Sequence, residues 1–147
     1  MVMRIEGKCH CGNIRYTLDW PGDAAGITIR VDGCSFCVKH GGSWTSNRDA
    51  ELAAEVCDAS LVSKYRFGTA TADFYVCSRC GVVPFVTSAI DGRLYAVVNV
   101  NTFEGIERSA LARTATNFDG EGTGERLERR KRNWIAAVRI SGVPMDA

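Results

Sequence analysis

Hydrophobic and polar residues alternate along two stretches near the start of the chain. Residues 14–19 and 27–31 place an apolar side chain at every second position, which is the period of strands that bury one face. Further short stretches rich in β-branched or aromatic residues follow, separated by glycines, at 61–67, 73–76, 82–87 and 94–100. Between the last two, the pair Asp91-Gly92 predicts a two-residue hairpin turn. The pattern predicts an antiparallel all-β fold with little helix, the first candidate helix covering residues 104–111.

The pattern changes after residue 118. Residues 119–125 are polar and rich in glycine, and we expect a flexible link there, because no Lys-Ser or Lys-Thr follows as it would in a phosphate-binding loop. Residues 125–132 include five basic and two acidic residues, and the basic segment 126–132 is expected to be a solvated, mixed-charge face. An apolar pattern then resumes. We predict a single domain, 1–147, with a core of about residues 3–118 and the segment 125–147 packed back on it.

The composition is close to that of an average globular domain, with 46% hydrophobic and 24% charged residues. Lys and Arg number 18 against 17 Asp and Glu, a net charge of +1, which gives no global field for binding nucleic acid or a membrane surface. Charged residues interrupt the first eight positions, where a signal peptide would need an apolar stretch. We therefore expect a cytoplasmic protein with neither nucleic acid nor membrane as a partner.

Six of the seven cysteines form three closely spaced pairs. In a reducing compartment, such pairs are more often metal ligands or catalytic thiols than disulfides. A structural zinc ion needs four thiolates, usually from two short turns. Two of the pairs suit it best because a glycine follows each second cysteine and permits a tight left-handed turn. The predicted ligands are Cys9, Cys11, Cys77 and Cys80. The alternative is that these cysteines are buried or disulfide-bonded without metal.

The third pair lacks two further cysteines to complete a cage. Asp32 stands two residues before Cys34, and with Cys37 it forms a candidate three-ligand zinc site with an open position. Two alternatives stay open: an unmetallated turn, and a thiol redox pair. His40 is either a proton carrier near this site or a polar surface residue. The unpaired Cys57 is expected to be a small buried hydrophobe.

Three motifs of this chain resemble the pattern of the glutathione-dependent formaldehyde-activating (GFA) enzyme family. They read G-K-C-H-C-G at 7–12, D-G-C-S-F-C at 32–37 and C-S-R-C-G at 77–81. The resemblance extends from about residue 3 to 101. It implies an antiparallel, zinc-stabilised β-tent-like fold, a structural zinc on the outer two turns and a second zinc on the middle turn. Asp32 stands where the family has a cysteine, and this exchange of sulfur for oxygen should weaken zinc binding.

The resemblance also implies a function. It is that of a zinc-dependent carbon–sulfur lyase or synthase acting on a thiol–aldehyde adduct such as S-hydroxymethylglutathione, with the Asp32, Cys34 and Cys37 set as the catalytic site. The partner is then a small-molecule thiol such as glutathione. Its carboxylates would need cationic partners, and the candidates are Lys39, Arg79 and Arg48. The alternative is a non-catalytic, zinc-stabilised β domain that binds a small ligand or a protein, with the second metal site degenerate.

Overall fold

The computed structural model of the protein describes residues 1–143, so the last four residues of the predicted segment 125–147 lie outside it. The described strands are, in chain order, β1 (Val2–Lys8), β2 (Ile14–Pro21), β3 (Thr28–Asp32), β4 (Trp44–Thr45), β5 (Glu51–Val56), β6 (Val62–Tyr65), β7 (Asp73–Cys77), β8 (Phe85–Ile90), β9 (Arg93–Asn99), β10 (Phe103–Glu104), β11 (Ala112–Thr116) and β12 (Ala137–Ser141). Two α-helices accompany them, α1 (Ser35–His40) and α2 (Thr123–Asn133). Neither helix within this range has the length and apolar character to cross a membrane.

The first sheet has the strand order β10-β1-β2-β5-β12. Its central strand β2 buries alternate residues, as the period of two predicts, and Ile14 and Leu18 are fully buried. Opposite it, Gly7 pairs with Tyr16. A Cβ atom at Gly7 would overlap the ring of Tyr16, so the absence of a side chain lets this aromatic ring lie flat across β1.

The second sheet has the strand order β11-β3-β4-β9-β8-β7-β6. The predicted hairpin is confirmed: β8 and β9 pair up to Ile90 and Arg93, and the turn residues Asp91 and Gly92 both have positive φ, 51° and 77°. This is the left-handed conformation that a two-residue hairpin turn requires. The rest of the sheet is antiparallel except at β11, which pairs in parallel with β3.

The predicted mostly β, antiparallel-rich fold is confirmed, with two parallel pairs that the sequence pattern does not reveal. One is β11 with β3, and the other is β12 with β5. The larger of two apolar clusters among the described residues contains buried residues of both sheets, including Leu18, Ile29 and Phe85. Ile135, just before β12, is also fully buried and pairs with Ala96 of β9. The single-domain organisation over residues 1–147 stays a prediction.

The helix prediction was wrong in its position. Residues 104–111 contain the end of β10 and a short 3₁₀ turn, Arg108–Ala110, and no α-helix. The α-helices lie elsewhere: α1 comes earlier in the chain, and α2 begins inside the segment expected to be a flexible link. The apolar periodicity of α2 is weak because arginine occupies much of its inward face, and Arg130 is only 6% exposed. Hydrogen bonds from its guanidinium group to Thr71 and Ser88 offset the cost of burying this charge.

Candidate functional site

The outer two cysteine turns come together in the fold. The Sγ atoms of Cys9, Cys11, Cys77 and Cys80 all lie within 4.8 Å of one another. Two of the separations are 3.8 Å, from Cys9 to Cys11, and 3.5 Å, from Cys11 to Cys77. Four sulfurs bound tetrahedrally at about 2.3 Å from zinc stand about 3.8 Å apart. The size and composition of this donor set therefore fit a structural zinc ion.

Two similar backbone turns bring these sulfurs into place. In the first, the N–H of Gly12 donates to the carbonyl of Cys9 at 3.1 Å, and in the second the N–H of Gly81 donates to the carbonyl of Cys77 at 2.7 Å. Both glycines have positive φ, 84° and 82°, the left-handed conformation that the sequence predicts. The first turn joins β1 to β2 in one sheet, and the second follows β7 in the other. The cluster thus links the two sheets.

The protonation chemistry of this cluster also favours a bound cation. Burial raises the pKa of Cys9 to about 12. Burial also tends to raise the pKa of Cys80. Hydrogen bonds from the backbone N–H groups of Cys11 and Val82 outweigh this effect and lower the pKa of Cys80 to about 6. All four sulfurs become thiolates together only when a nearby cation compensates their charge, and a metal ion supplies that compensation.

The middle turn forms a second donor set. The ligand atoms of Asp32, Cys34 and Cys37 lie within 4.8 Å of one another. Asp32 ends β3, and its Oδ1 accepts a hydrogen bond from the N–H of Cys34 at 2.8 Å. Cys34 caps α1 by accepting from the N–H of Cys37 at 3.3 Å. Burial raises the pKa of Cys37 above its usual range. Two sulfurs and one carboxylate fit a zinc ion with a fourth position open.

The second donor set opens into a cavity of about 470 Å³. This volume lies within the range of small-molecule sites. Asp32, Cys34 and Cys37 all line it. Much of the remaining wall is apolar and consists of side chains from the second sheet, the loop after β6 and the end of α2: Trp44, Phe67, Phe74, Val86, Val97 and Trp134.

The basic segment forms another part of the cavity wall. Arg126, Arg129 and Arg130 of α2 line it, together with Arg30 of β3. Their spacing of three and four residues places the α2 arginines on one side of the helix. The side chains of Arg126 and Arg129 are 22% and 16% exposed, and Arg130 is more deeply buried. The expectation that 126–132 is a solvated face was therefore wrong for these three residues.

Opposing carboxylates partly offset the arginine charge. Glu121 accepts hydrogen bonds from Arg129, the shortest at 3.0 Å, and lies 3.6 Å from Arg126. Arg129 also lies over the ring of Phe118, 3.5 Å from its centroid. Apart from Asp32, the cavity lining holds four arginines and two carboxylates, those of Asp119 and Glu121. The wall facing the second donor set therefore has a net positive charge and suits an anionic ligand.

Several residues singled out from the sequence lie elsewhere. His40 stacks on Phe36, with ring centroids 5.3 Å apart, and like Lys39 and Arg79 it is not among the described residues that line the cavity. Arg48 lines a neighbouring depression.

The expectation that Cys57 is buried was wrong, because its thiol is exposed. Cys57 follows Val56, the buried last residue of β5. Strand alternation turns the next side chain outward. An exposed position of this kind makes Cys57 a suitable control site for experiments on the other cysteines.

The fold and the donor sets define a class of β-rich protein built around paired cysteine turns that are able to hold metal ions. The family model for the glutathione-dependent formaldehyde-activating (GFA) enzyme matches residues 4–119. The chain belongs to this family. A crystal structure of a Rhodobacter sphaeroides protein is also similar, with 26% sequence identity and a TM-score of 0.53, over 74% of this chain and 99% of that chain. The family match ends before α2 and its arginines.

Proposed function

We propose that this protein is a carbon–sulfur lyase or synthase that acts on the adduct of a small thiol and an aldehyde, such as S-hydroxymethylglutathione. The observation that carries the proposal is the position of the Asp32, Cys34 and Cys37 donor set in the wall of a cavity large enough for an organic thiol. In this proposal the four outer cysteines hold a structural zinc and the three inner ligands hold a second zinc at the reaction centre.

The reaction is balanced without a redox partner. In the synthetic direction, the thiol sulfur forms a bond to the aldehyde carbon, the carbonyl π bond breaks, and the thiol proton ends on the resulting hydroxyl oxygen. The lyase direction reverses each change. A zinc ion bound here would favour the thiolate form of the substrate and polarise the carbonyl group.

The chain's own side chains have three roles in the proposal. Asp32, Cys34 and Cys37 would hold the metal, and the backbone N–H groups of Cys34 and Cys37 orient two of these ligands. The apolar wall excludes water, which would otherwise compete with the thiol for the aldehyde. The arginine wall provides cationic partners for carboxylate groups of the substrate.

A second candidate function rests on Asp32. Its carboxylate already accepts a hydrogen bond from Cys34, and an oxygen ligand in place of sulfur weakens the affinity of the site for zinc. If the inner site does not retain a metal ion, the protein is a zinc-stabilised β domain that binds a small anionic ligand in the same cavity. The two functions differ in the number of zinc ions per chain.

Elemental analysis of protein purified without chelator tests this difference. The lyase proposal predicts two zinc ions per chain, and one in Cys34→Ala, with Cys57→Ala as the control that retains two. It also predicts that the protein accelerates the equilibration of glutathione with ¹³C-formaldehyde, measured by NMR exchange, and that Cys34→Ala does not. One zinc per chain, rising to two only in Asp32→Cys, together with no acceleration, would favour the binding domain.

A further inference from the structure

The buried polar groups without partners are concentrated in one place. Among residues 1–143, three buried side-chain nitrogen or oxygen atoms have no hydrogen-bond partner: Thr116 Oγ1, Arg126 Nε and Arg130 Nε. All three residues line the cavity that Cys34 and Cys37 also line. A buried donor left unpaired lowers the stability of the free protein. Arg126 Nε lies 3.6 Å from Glu121 Oε1, beyond hydrogen-bond distance, so a polar ligand in the cavity would complete the hydrogen bonds of all three groups.

Arg130 is held in place along one edge of its guanidinium group. Its Nη1 donates to the Oγ1 of Thr71 at 2.8 Å and to the Oγ of Ser88 at 3.1 Å. The guanidinium carbon lies 4.9 Å from the centre of the Trp134 ring. These contacts leave the edge formed by Nε and Nη2 without a hydrogen bond to the described residues. An open edge on a rigidly held guanidinium is suited to bidentate binding of a carboxylate.

Other positive charges lie near the Arg130 guanidinium group. Burial, followed by the charges of Arg129 and Arg126, lowers the pKa of Arg130 to about 10. Burial and the charge of Arg129 likewise lower the pKa of Arg30. Both groups stay protonated at neutral pH, so the repulsion between each of them and Arg129 persists in the free protein. A bound anion relieves this repulsion, in addition to completing the hydrogen bonds.

The backbone connects these groups to the inner donor set. Thr116 lies opposite Asp32 in the parallel pair of β11 and β3, and its carbonyl accepts from the N–H of Gly33 at 2.8 Å. Arg30 precedes Asp32 by two residues on β3 and shares its face. A ligand bound between these strands and α2 is therefore next to the inner donor set.

We infer that Arg130, Arg126 and Thr116 form an anion subsite that binds a carboxylate group of the substrate, and that α2 thereby makes the enzyme selective for thiols that carry a carboxylate. This inference rests on the proposed function, because it takes the ligand of the cavity to be the substrate. The aromatic side chains of the wall favour an organic acid over inorganic phosphate, because they provide apolar contacts for its hydrocarbon part.

The test uses a probe without a thiol, so that no turnover occurs, and it is made in the Cys34→Ala background, whose incomplete inner donor set does not offer the carboxylate a bound zinc ion. The probe is 3-phenylpropionate, compared with its uncharged amide by isothermal titration of the purified protein. A hydrogen bond to a charged group contributes about 1.5–3 kcal/mol, so we expect the acid to bind about ten-fold or more tightly than the amide. Arg126→Gln and Arg130→Gln should remove most of this difference.

Arg132→Gln is the matched control, because Arg132 is exposed on the same helix and is not part of the cavity lining. It should change the affinity less than two-fold. If Arg130→Gln fails to fold, the more exposed Arg126→Gln carries the comparison. Equal binding of acid and amide, an equal loss in Arg132→Gln, or tighter binding of inorganic phosphate than of the acid would overturn the inference. Thiol–aldehyde turnover with no preference for acids would overturn this inference and leave the lyase proposal standing. Acid binding without turnover would overturn the lyase proposal and the selectivity for thiols, and would leave the anion subsite to the binding-domain function.

Discussion

Replacing Cys80 by alanine tests whether the outer cysteine cluster is a structural metal site. Its Sγ belongs to the four-sulfur set that links the two sheets. Cys80 is only partly buried, so the loss of packing alone should cost less than about 1 kcal/mol. Structural zinc contributes about 10–16 kcal/mol of apparent binding free energy, so a quarter of it, about 2.5–4 kcal/mol, is the least that the loss of one of four ligands should cost.

A second cost adds to this loss. The backbone N–H groups of Cys11 and Val82 both donate to the Cys80 sulfur, and each loses its acceptor in the alanine variant, at about 1 kcal/mol apiece. The expected loss in the free energy of unfolding is therefore about 4–6 kcal/mol or more. A domain of this kind has a total stability of about 5–15 kcal/mol, so the variant should be close to its stability threshold.

Urea unfolding followed by far-ultraviolet circular dichroism, at a fixed concentration of free zinc, measures this difference. Cys57→Ala is the control, because it removes an exposed thiol outside both donor sets. The parent protein should lose stability when a chelator is added, and Cys80→Ala should lose one zinc per chain and respond much less to the chelator. If Cys80→Ala keeps the zinc content and the unfolding midpoint of Cys57→Ala, the outer cluster is not a metal site.

Three further predictions concern the fold and the cavity wall. Gly142→Ala should destabilise the protein by about 2 kcal/mol or more in urea unfolding, because φ is +86° and a Cβ would overlap the carbonyl of Val56; an unchanged midpoint would contradict this placement. Gly124→Ala should instead raise the free energy of unfolding in urea by about 0.5–1 kcal/mol, because it lies in α2 with open space around it. The hydrogen bond from Arg129 lowers the pKa of Glu121, so its ¹³C-NMR titration midpoint should lie below that of an ordinary glutamate, and the stabilisation from this pair is lost as the pH falls through that midpoint.

The parts of the structure that the sequence predicts are those encoded locally. The β8–β9 hairpin follows from Asp91-Gly92, because few residue pairs adopt two successive left-handed conformations. The outer cysteine turns follow from short spacing and a trailing glycine, and the fold brings both turns together. The inner donor set follows in the same way, since Asp32 and Cys37 are only five residues apart and are joined by one turn.

The parts that the sequence does not predict depend on distant contacts. Arg130 resembles a solvated residue in sequence, and it is buried only because Thr71 and Ser88, from distant parts of the chain, receive its N–H groups. The cavity wall formed by the arginines of α2 can therefore be identified only once the position of this helix in the fold is known. Cys57 is a different case, because the alternation of β5 already indicates an outward side chain at the position after Val56.

The two parallel strand pairs have a consequence for the order of assembly during synthesis. β11 and β12 flank α2 along the chain, and each adds an edge strand to a different sheet, beside β3 and β5. Such pairings join segments far apart in sequence and are slow to form. All six paired cysteines precede α2 along the chain, so both donor sets leave the ribosome before the helix that supplies three of the cavity's arginines. The order of the chain thus separates the synthesis of the donor sets from the closure of the cavity.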